Sequence, residues 1–416
     1  MAPNIDLMYH ILRHFYQLSE KARVLLLSFV CYSAVIPILS IFLNTYILRF
    51  SNNFSLLILY YGFFFCTIPL GFLLNGLLLR RFAVTVLYGC GLILFVVSNS
   101  SIVFLHNLSV PGIALFGFLY GIGTGVYWGN RNLLTLAETE SDTRVFFNSL
   151  ELITGILLTI IIPGMAGWFI SLGEISGLYS IRAAYVILMF LSVVLVLLSS
   201  VFVFKIHFKK INVPHLFVDH VTPAWWVARL ITLSEGITNG VAFLLPTYFL
   251  FKFVGKENVI GSFDSIVALI VAALLYALGV KLTKDNRLKV AVLAYVGVAL
   301  SAVIIFFFKN TNGVIVYLGL TYLLSSISYI AGHAILLDLT DRESSQFSYG
   351  SYCYVFDRET CLNIGRMIAI LLMVVVVYKI IPLEYEQVPV IASVLQLSVL
   401  GTALYILNKD KVKTTL

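Results

Sequence analysis

The chain has 416 residues, of which 60% are hydrophobic and only 11% are charged. Soluble domains carry roughly 25% charged residues, so this composition excludes a water-soluble fold and a soluble enzyme. The net charge of +7 does not indicate a nucleic-acid partner, because the basic residues lie between apolar runs and form no single patch. Composition therefore predicts an all-α integral membrane protein whose solvent is the lipid bilayer.

The first segment, residues 1–22, has apolar side chains at helical spacing and no small-residue cleavage site. It predicts a cytoplasmic helix lying on the membrane surface rather than a signal peptide. Apolar runs of about 20 residues, the length that crosses a hydrocarbon layer of ~30 Å, follow to the end of the chain. They predict twelve spans, at 24–48, 54–79, 83–105, 111–136, 146–170, 182–205, 225–250, 260–282, 288–308, 313–338, 355–380 and 388–407.

The longest polar connection divides these spans into two sets of six. We expect an N-terminal bundle at 23–208, a linker at 209–222, a C-terminal bundle at 223–408 and a tail at 409–416. Lys and Arg are concentrated in the connections on the side of the termini, and the positive-inside rule makes that side cytoplasmic. The absence of any soluble domain favours a bacterial inner (plasma) membrane.

The two halves repeat each other weakly. The run from Gly129 to Ser141 ends the fourth span, and the similar run from Ala331 to Ser344 ends the tenth. Each is followed by a span with an early glutamate, Glu151 or Glu359. Duplicated six-helix halves joined by a linker are typical of a parallel-repeat secondary transporter.

The loop between the second and third spans contains Gly71 and Asn75, followed by Arg80 and Arg81. This loop resembles the signature loop of the major facilitator superfamily. The order of six spans, a linker and six more spans resembles the same family over essentially the whole chain. The resemblance implies two pseudo-symmetric six-helix bundles and transport by alternating access. The family has an aspartate, thought to latch the halves, where this chain has Asn75, which argues against a charge-based latch.

Ionisable residues deep in a span cost about 2.5–3.5 kcal/mol each, so they are candidate functional residues. Arg131 in span four and Arg366 in span eleven are predicted to face a cavity, where a guanidinium holds a carboxylate or phosphate through two hydrogen bonds. The alternative is that Arg131 forms a structural ion pair with Glu151, and Arg366 with Glu359. The predicted substrate contacts are Tyr127, Trp128, Arg131, Asn132, Asn239, Asn363 and Arg366.

Glu235 lies about ten residues into span seven with no basic residue of that span at its depth. Poor hydration favours its neutral form, so we predict that Glu235 carries protons, with His333 and Glu359 as the next candidates. Asn239, one turn further along, is expected to hydrogen-bond to Glu235. The alternative is a hydrogen-bonded structural carboxyl.

Four other charged side chains are predicted to lie too near the span ends to act in a cavity. Asp264 and Asp338 fall close to predicted ends, and Asp357 and Arg358 are expected to flank the membrane surface. The chain has no glycine-rich phosphate loop and no ligand set for a metal, so we expect neither a cofactor nor a metal site. The five cysteines are interpreted as core residues.

These patterns predict a monomeric secondary transporter, not an enzyme, that moves a small anionic or zwitterionic organic solute with protons. A second prediction is proton-driven efflux of amphipathic compounds, because Gly155 and the stretch from Pro163 to Gly167 resemble, in reversed order, a motif of drug exporters. Two further alternatives belong to other classes: a membrane-embedded transferase acting on lipid-linked substrates, and a receptor or scaffold that does not transport.

Overall fold

The computed structural model describes residues 18–105, 107–138, 141–204, 215–279, 286–347 and 350–409, together with Phe15 and Val213. The described residues contain twelve long helices and no strand. In chain order these are α1 Glu20–Ser51, α2 Phe54–Leu78, α3 Val84–Ser101, α4 Val110–Glu138, α5 Ser141–Ser176, α6 Ile181–Phe204, α7 Pro223–Phe253, α8 Glu257–Gly279, α9 Arg287–Phe307, α10 Thr311–Phe347, α11 Ser351–Val377 and α12 Val388–Lys409. Most of the predicted surface helix within 1–22 lies outside the described residues, as do residues 209–212 and 214 of the predicted linker.

Eleven of the twelve helices are long and apolar enough to cross a membrane. The exception is α7, which has 31 residues but carries Arg229, Glu235 and Asn239 in its length. If α7 is counted with the eleven, Glu20 at the start of α1 and Lys409 at the end of α12 lie on one side of the bilayer. We call that side the terminal face and the other side the opposite face.

Local sequence accounts for where several helices begin. Ser19, Asn53 and Thr222 accept hydrogen bonds from the first turns of α1, α2 and α7, at 3.1, 2.9 and 3.0 Å. These side chains satisfy backbone N–H groups that a helix start leaves without partners. Pro223 opens α7, at the position where a missing N–H costs least.

Two helices continue further than the apolar runs predicted. α5 has 36 residues and α10 has 37, whereas the predicted spans were 146–170 and 313–338. α5 is longer than predicted at both ends, whereas α10 is longer mainly at its terminal end, and the added residues are mostly polar. Hydropathy marks where a chain is in lipid, whereas hydrogen bonding continues a helix beyond the lipid, so the predicted ends were too short.

The first helix contains one irregular turn. Residues Ile38–Phe42 form a π-helical segment directly after Pro37, a proline inside α1. Proline has no N–H and clashes with the preceding turn, and a π segment accommodates it by widening one turn by a residue. α1 therefore changes its helical register at mid-membrane.

Glycines allow the closest helix pairs. A Cβ added to Gly71 of α2 would lie 2.5 Å from the carbonyl oxygen of Ile122 in α4, and one on Gly125 would lie 2.3 Å from that of Ile68. In the C-terminal half, a Cβ on Gly236 of α7 would lie 2.2 Å from the Leu362 carbonyl oxygen in α11. Small residues thus set the backbone separation within each half.

Two helix pairs join the halves, at opposite ends of the molecule. α5 contacts α8 near the opposite face, where a Cβ on Gly261 would lie 2.1 Å from the Pro163 carbonyl oxygen. α2 contacts α11 near the terminal face, where the Tyr352 hydroxyl donates to the Phe72 carbonyl at 2.8 Å. Towards the terminal face α5 and α8 separate, and Gly155 of α5 and Leu275 of α8 line a cavity there.

Candidate functional site

A cavity of about 810 Å³ lies between α1, α5, α8 and α10. Its walls are stripes of residues one turn apart along each helix. They include Asp264, Val267, Val271 and Leu275 of α8, Tyr322, Ser326, Tyr329 and His333 of α10, and Glu151, Gly155, Thr159 and Pro163 of α5. Because Glu151 and His333 lie in the terminal halves of their helices, the cavity extends from mid-membrane towards the terminal face.

Contacts between the two halves close the opposite face. The Arg49 guanidinium of α1 lies 2.5 Å from a carboxylate oxygen of Glu257 in α8, and the Tyr185 hydroxyl donates to that oxygen at 3.1 Å. The Asn44 amide donates to the Phe243 carbonyl in α7 at 3.0 Å. Sequence reasoning missed this closure because it assigned Arg49 to a loop, and nothing in its local pattern indicates Glu257.

Arg131 is held within the N-terminal half. It forms an ion pair with Glu151 of α5, and its guanidinium lies 4.5 Å from the Phe29 ring centre and 4.4 Å from that of Trp128. Its Nε is buried and makes no hydrogen bond within the described residues. Asn132 follows on α4 as a half-buried side chain. The charge of Arg131 is therefore neutralised by its neighbour.

Tyr127, a predicted substrate contact, is fully buried and does not line the cavity. Its ring stacks on Tyr32 at 4.5 Å between centres and lies 5.2 Å from that of Tyr88. Adjacent helical residues point about 100° apart, so Tyr127 faces α1 and α3 while Trp128 contacts Arg131. The prediction for Tyr127 was wrong for that reason.

Arg366 is held differently, by amides and rings. Its Nε donates to Asn239 in α7 at 2.7 Å and its Nη1 donates to Asn363 at 3.1 Å. The guanidinium lies 5.3 Å from the Phe65 ring centre and 5.4 Å from that of Phe243. No salt bridge to Arg366 is formed by the described residues, although the carboxylates of Glu359 and Glu235 lie within electrostatic range of it.

Two predicted partners are therefore placed elsewhere. Asn239 accepts from Arg366 instead of contacting the Glu235 carboxyl. Glu359 lies 3.4 Å from Arg358 and is not paired with Arg366. Its backbone carbonyl accepts from the Asn363 amide at 2.7 Å. Helical spacing correctly put these residues on one face but did not show which neighbouring helix they meet.

Glu235 projects from α7 towards α9 and α10. The Tyr295 hydroxyl donates to its Oε1 at 2.9 Å, and a Cβ on Gly332 would lie 2.8 Å from the same oxygen. Glu235 forms no salt bridge with any described residue. The sequence suggested a carboxyl without a fixed partner, and the structure gives it a neutral one.

Three charged residues lie deeper than predicted. Asp264 is two turns into α8 and lines the cavity, because the first turns of α8 form the contact with α5. Asp357 binds Arg229 of α7 through two hydrogen bonds of 2.7 Å and accepts a third, also 2.7 Å, from Trp225. Arg358, with a side chain only 15% exposed, is inside the bundle as well. α11 begins at Ser351, so neither Asp357 nor Arg358 flanks the membrane surface.

Asp338, by contrast, is 46% exposed and forms a salt bridge with Arg287 at 2.7 Å.

The signature-loop residues join the halves near the terminal face. Asn75 is fully buried; its amide nitrogen donates to the Tyr352 hydroxyl at 3.1 Å, and its oxygen accepts from Asn130 at 2.6 Å. Arg80 and Arg81 are exposed in the turn that follows. The contact between α2 and α11 is thus made by neutral groups.

Twelve membrane helices in two halves around one cavity define a multi-pass membrane transporter. The chain belongs to the Major Facilitator Superfamily, whose family model matches residues 22–380. The predicted family and fold class are confirmed, as is the prediction that the protein is not an enzyme.

Known proteins resemble the chain in sequence and in fold. An uncharacterized protein of Bacillus subtilis, YqgE, is 25% identical over 354 residues, which cover 83% of this chain and 80% of YqgE. A POT family transporter, solved with a thioalcohol-conjugated peptide, is similar with a TM-score of 0.67 and 12% identity over 95% of this chain and 99% of its own. A D-xylose-proton symporter is similar with a TM-score of 0.60 and 13% identity over 90% and 96%. At these identities the two structures establish the fold.

Proposed function

We propose that the protein is a proton-coupled secondary transporter of a small organic solute carrying a negatively charged group. The observation that carries the proposal is a pair of unmatched groups on α7 and α11. Arg366 is a cation without a carboxylate partner, and Glu235 is a carboxyl without a basic partner, among the residues that the structure describes. They stay unpaired although Asn239, which binds Arg366, lies only one turn from Glu235.

Such an arrangement suits exchange of partners during transport. Arg366 offers a fixed, delocalised cation for a substrate carboxylate or phosphate, with two amides holding its orientation. Glu235 changes charge on taking up a proton, and its environment alternates as the cavity opens and closes to water. A tenfold proton gradient supplies about 1.4 kcal/mol per proton, enough for about a tenfold accumulation of an uncharged solute.

The cavity between α1, α5, α8 and α10, whose lining includes neither Arg366 nor Glu235, has mostly apolar walls on α8, through Val267, Val271 and Leu275. This observation favours a second candidate function, proton-driven efflux of amphipathic compounds. In either case we propose that the protein is a monomer in a bacterial plasma membrane. The distribution of Lys and Arg supports cytoplasmic termini. Proton coupling is compatible with this architecture, since one protein of the same fold is a D-xylose-proton symporter.

The test uses purified protein in liposomes, screened with labelled organic anions, zwitterions and amphipathic compounds, with and without a pH gradient. For a solute that accumulates, Glu235→Gln should abolish accumulation while exchange at equal concentrations continues. Glu384→Gln, in the exposed connection before α12, is the matched control and should behave as the parent. Accumulation by Glu235→Gln at the parental rate would remove Glu235 as the carrier, leaving His333 and Glu359 to be tested in the same way.

A further inference from the structure

We infer that Asp264 binds a positively charged amino group of the substrate. The inference rests on the proposed function and narrows its substrate class to organic amines. A substrate whose negative group also binds Arg366 would be a zwitterion. Asp264 is not part of the arrangement on α7 and α11, so its role is tested separately.

The position of Asp264 in the cavity carries the first step. One turn before it, Gly261 meets Pro163, and the Ser265 hydroxyl next to it accepts from the Gly164 backbone N–H at 2.9 Å. α5 and α8 are in contact between this level and the opposite face, and they separate towards the terminal face. Asp264 therefore lies at the floor of the cavity, where a solute entering from the terminal face would stop.

The second step is the lack of a partner. The described residues give Asp264 neither a hydrogen bond nor an ion pair, although an ionised carboxylate at this depth is costly without one. Among the described acids of the spans, Glu343 of α10 also lacks a partner, but it does not line the cavity. Four others are matched. Glu151 is paired with Arg131, Asp357 with Arg229, Glu257 with Arg49, and Glu235 with Tyr295. Asp264 is the cavity acid that remains available for a ligand.

The surroundings of Asp264 indicate which cation fits. Tyr322 of α10 lies within electrostatic range of the carboxylate, and Tyr329 lies two turns further along the same wall. Aromatic faces attract ammonium groups, and the valines of α8 accommodate hydrocarbon. The described residues contain no group of three or more His, Cys, Asp or Glu that would hold a metal ion. An amine with an apolar body matches this lining.

Three probes with one phenyl skeleton test the inference: phenethylamine, which is cationic, phenylalanine, which is zwitterionic, and 3-phenylpropanoate, which is anionic. Binding of tritiated phenethylamine to the purified full-length protein is measured by scintillation proximity, with the other probes as competitors. We expect the parent to bind phenethylamine and Asp264→Asn to bind it at least about tenfold more weakly, because a charge-assisted hydrogen bond is lost. Asp264→Glu should retain part of the affinity.

Asp219→Asn, the same change at an exposed linker position, should bind like the parent. Arg366→Gln should weaken competition by phenylalanine by a larger factor than it changes the affinity for phenethylamine, so a failure of the proposed anion site is separated from a failure of this one. Equal phenethylamine binding by the parent and Asp264→Asn would overturn the inference, as would no binding to the parent. Displacement of phenethylamine by sodium, with sodium binding lost in Asp264→Asn, would instead assign the site to a metal cation and also overturn it.

Discussion

The two arginines predicted to contact the substrate, one in each half, are held in contrasting ways. Arg131 and Arg366 each lie against two aromatic rings, but Arg131 is neutralised by Glu151 whereas Arg366 is held by the amides of Asn239 and Asn363. A guanidinium that already has a carboxylate gains little from a second anion. One held by neutral groups retains its charge for a ligand. The two halves therefore differ: the N-terminal arginine forms a fixed ion pair, whereas the C-terminal one, at the proposed anion site, forms none with the described residues.

The strongest way to break this comparison is to remove the carboxylate from the ion pair. Glu151→Gln leaves the half-buried Arg131 without its counter-charge, and we expect a loss of about 3 kcal/mol in the free energy of unfolding. The measurement is thermal unfolding of the purified protein in detergent. Exchanging the two residues, Arg131→Glu with Glu151→Arg, should recover part of the loss. A Glu151→Gln variant as stable as the parent would show that the pair contributes no stability.

A second change separates binding from stability in the C-terminal half. Arg366→Lys keeps the charge but loses the planar fork, so affinity for an anionic substrate should fall about tenfold while the unfolding temperature changes little. Arg131→Lys is the matched control, and we expect the reverse: lower stability with unchanged affinity. Affinity is measured by competition in proteoliposome uptake. The same response from both variants would remove the proposed division between the halves.

A smaller effect is expected at the contact between α2 and α11. Tyr352→Phe removes the hydrogen bonds that the hydroxyl makes with Asn75 and the Phe72 carbonyl, each worth about 1 kcal/mol. Because this contact joins the halves near the terminal face, the variant should expose that face more often. Labelling of a cysteine introduced at the buried Phe356, which stacks on Phe72 of α2, should then become faster, with a cysteine at the exposed Arg80 as the reference site. An unchanged ratio of the two rates would contradict the predicted opening.

The smallest effect is expected at the exposed pair of Lys309 and Glu384, in the connections near the opposite face. The Lys309 ammonium holds the pKa of Glu384 below its usual range. Any stability from this pair is therefore present above the unfolded value of about 4.3 and is lost as the pH falls through the lower, folded value. Glu384→Gln should not change the unfolding temperature at pH 7, since solvent screens exposed pairs. A clear decrease there would show that the pair is less screened than its exposure indicates.

The fold was predictable because a bilayer requires every span to be apolar and about 20 residues long. The apolar run at 225–250 was sufficient to locate even the more polar α7. The family followed from the order of spans and from Gly71, Asn75, Arg80 and Arg81. The site was predictable only to the level of helix faces. The pairing of Asp357 with Arg229, 128 residues away, depends on how α7 and α11 rotate against each other, which periodicity does not determine. Asp264 was misplaced because the apolar run does not show how much of α8 is used to contact α5.

The π segment of α1 affects how the opposite face is closed. Its additional residue shifts the phase of everything after Phe42 by about 100° relative to an uninterrupted helix. Asn44 and Arg49, which meet Phe243 and Glu257 across the two halves, follow that shift. Without it they would point away from the C-terminal half. A single proline, Pro37, thus sets the angular alignment on which the seal of the far side of the membrane depends.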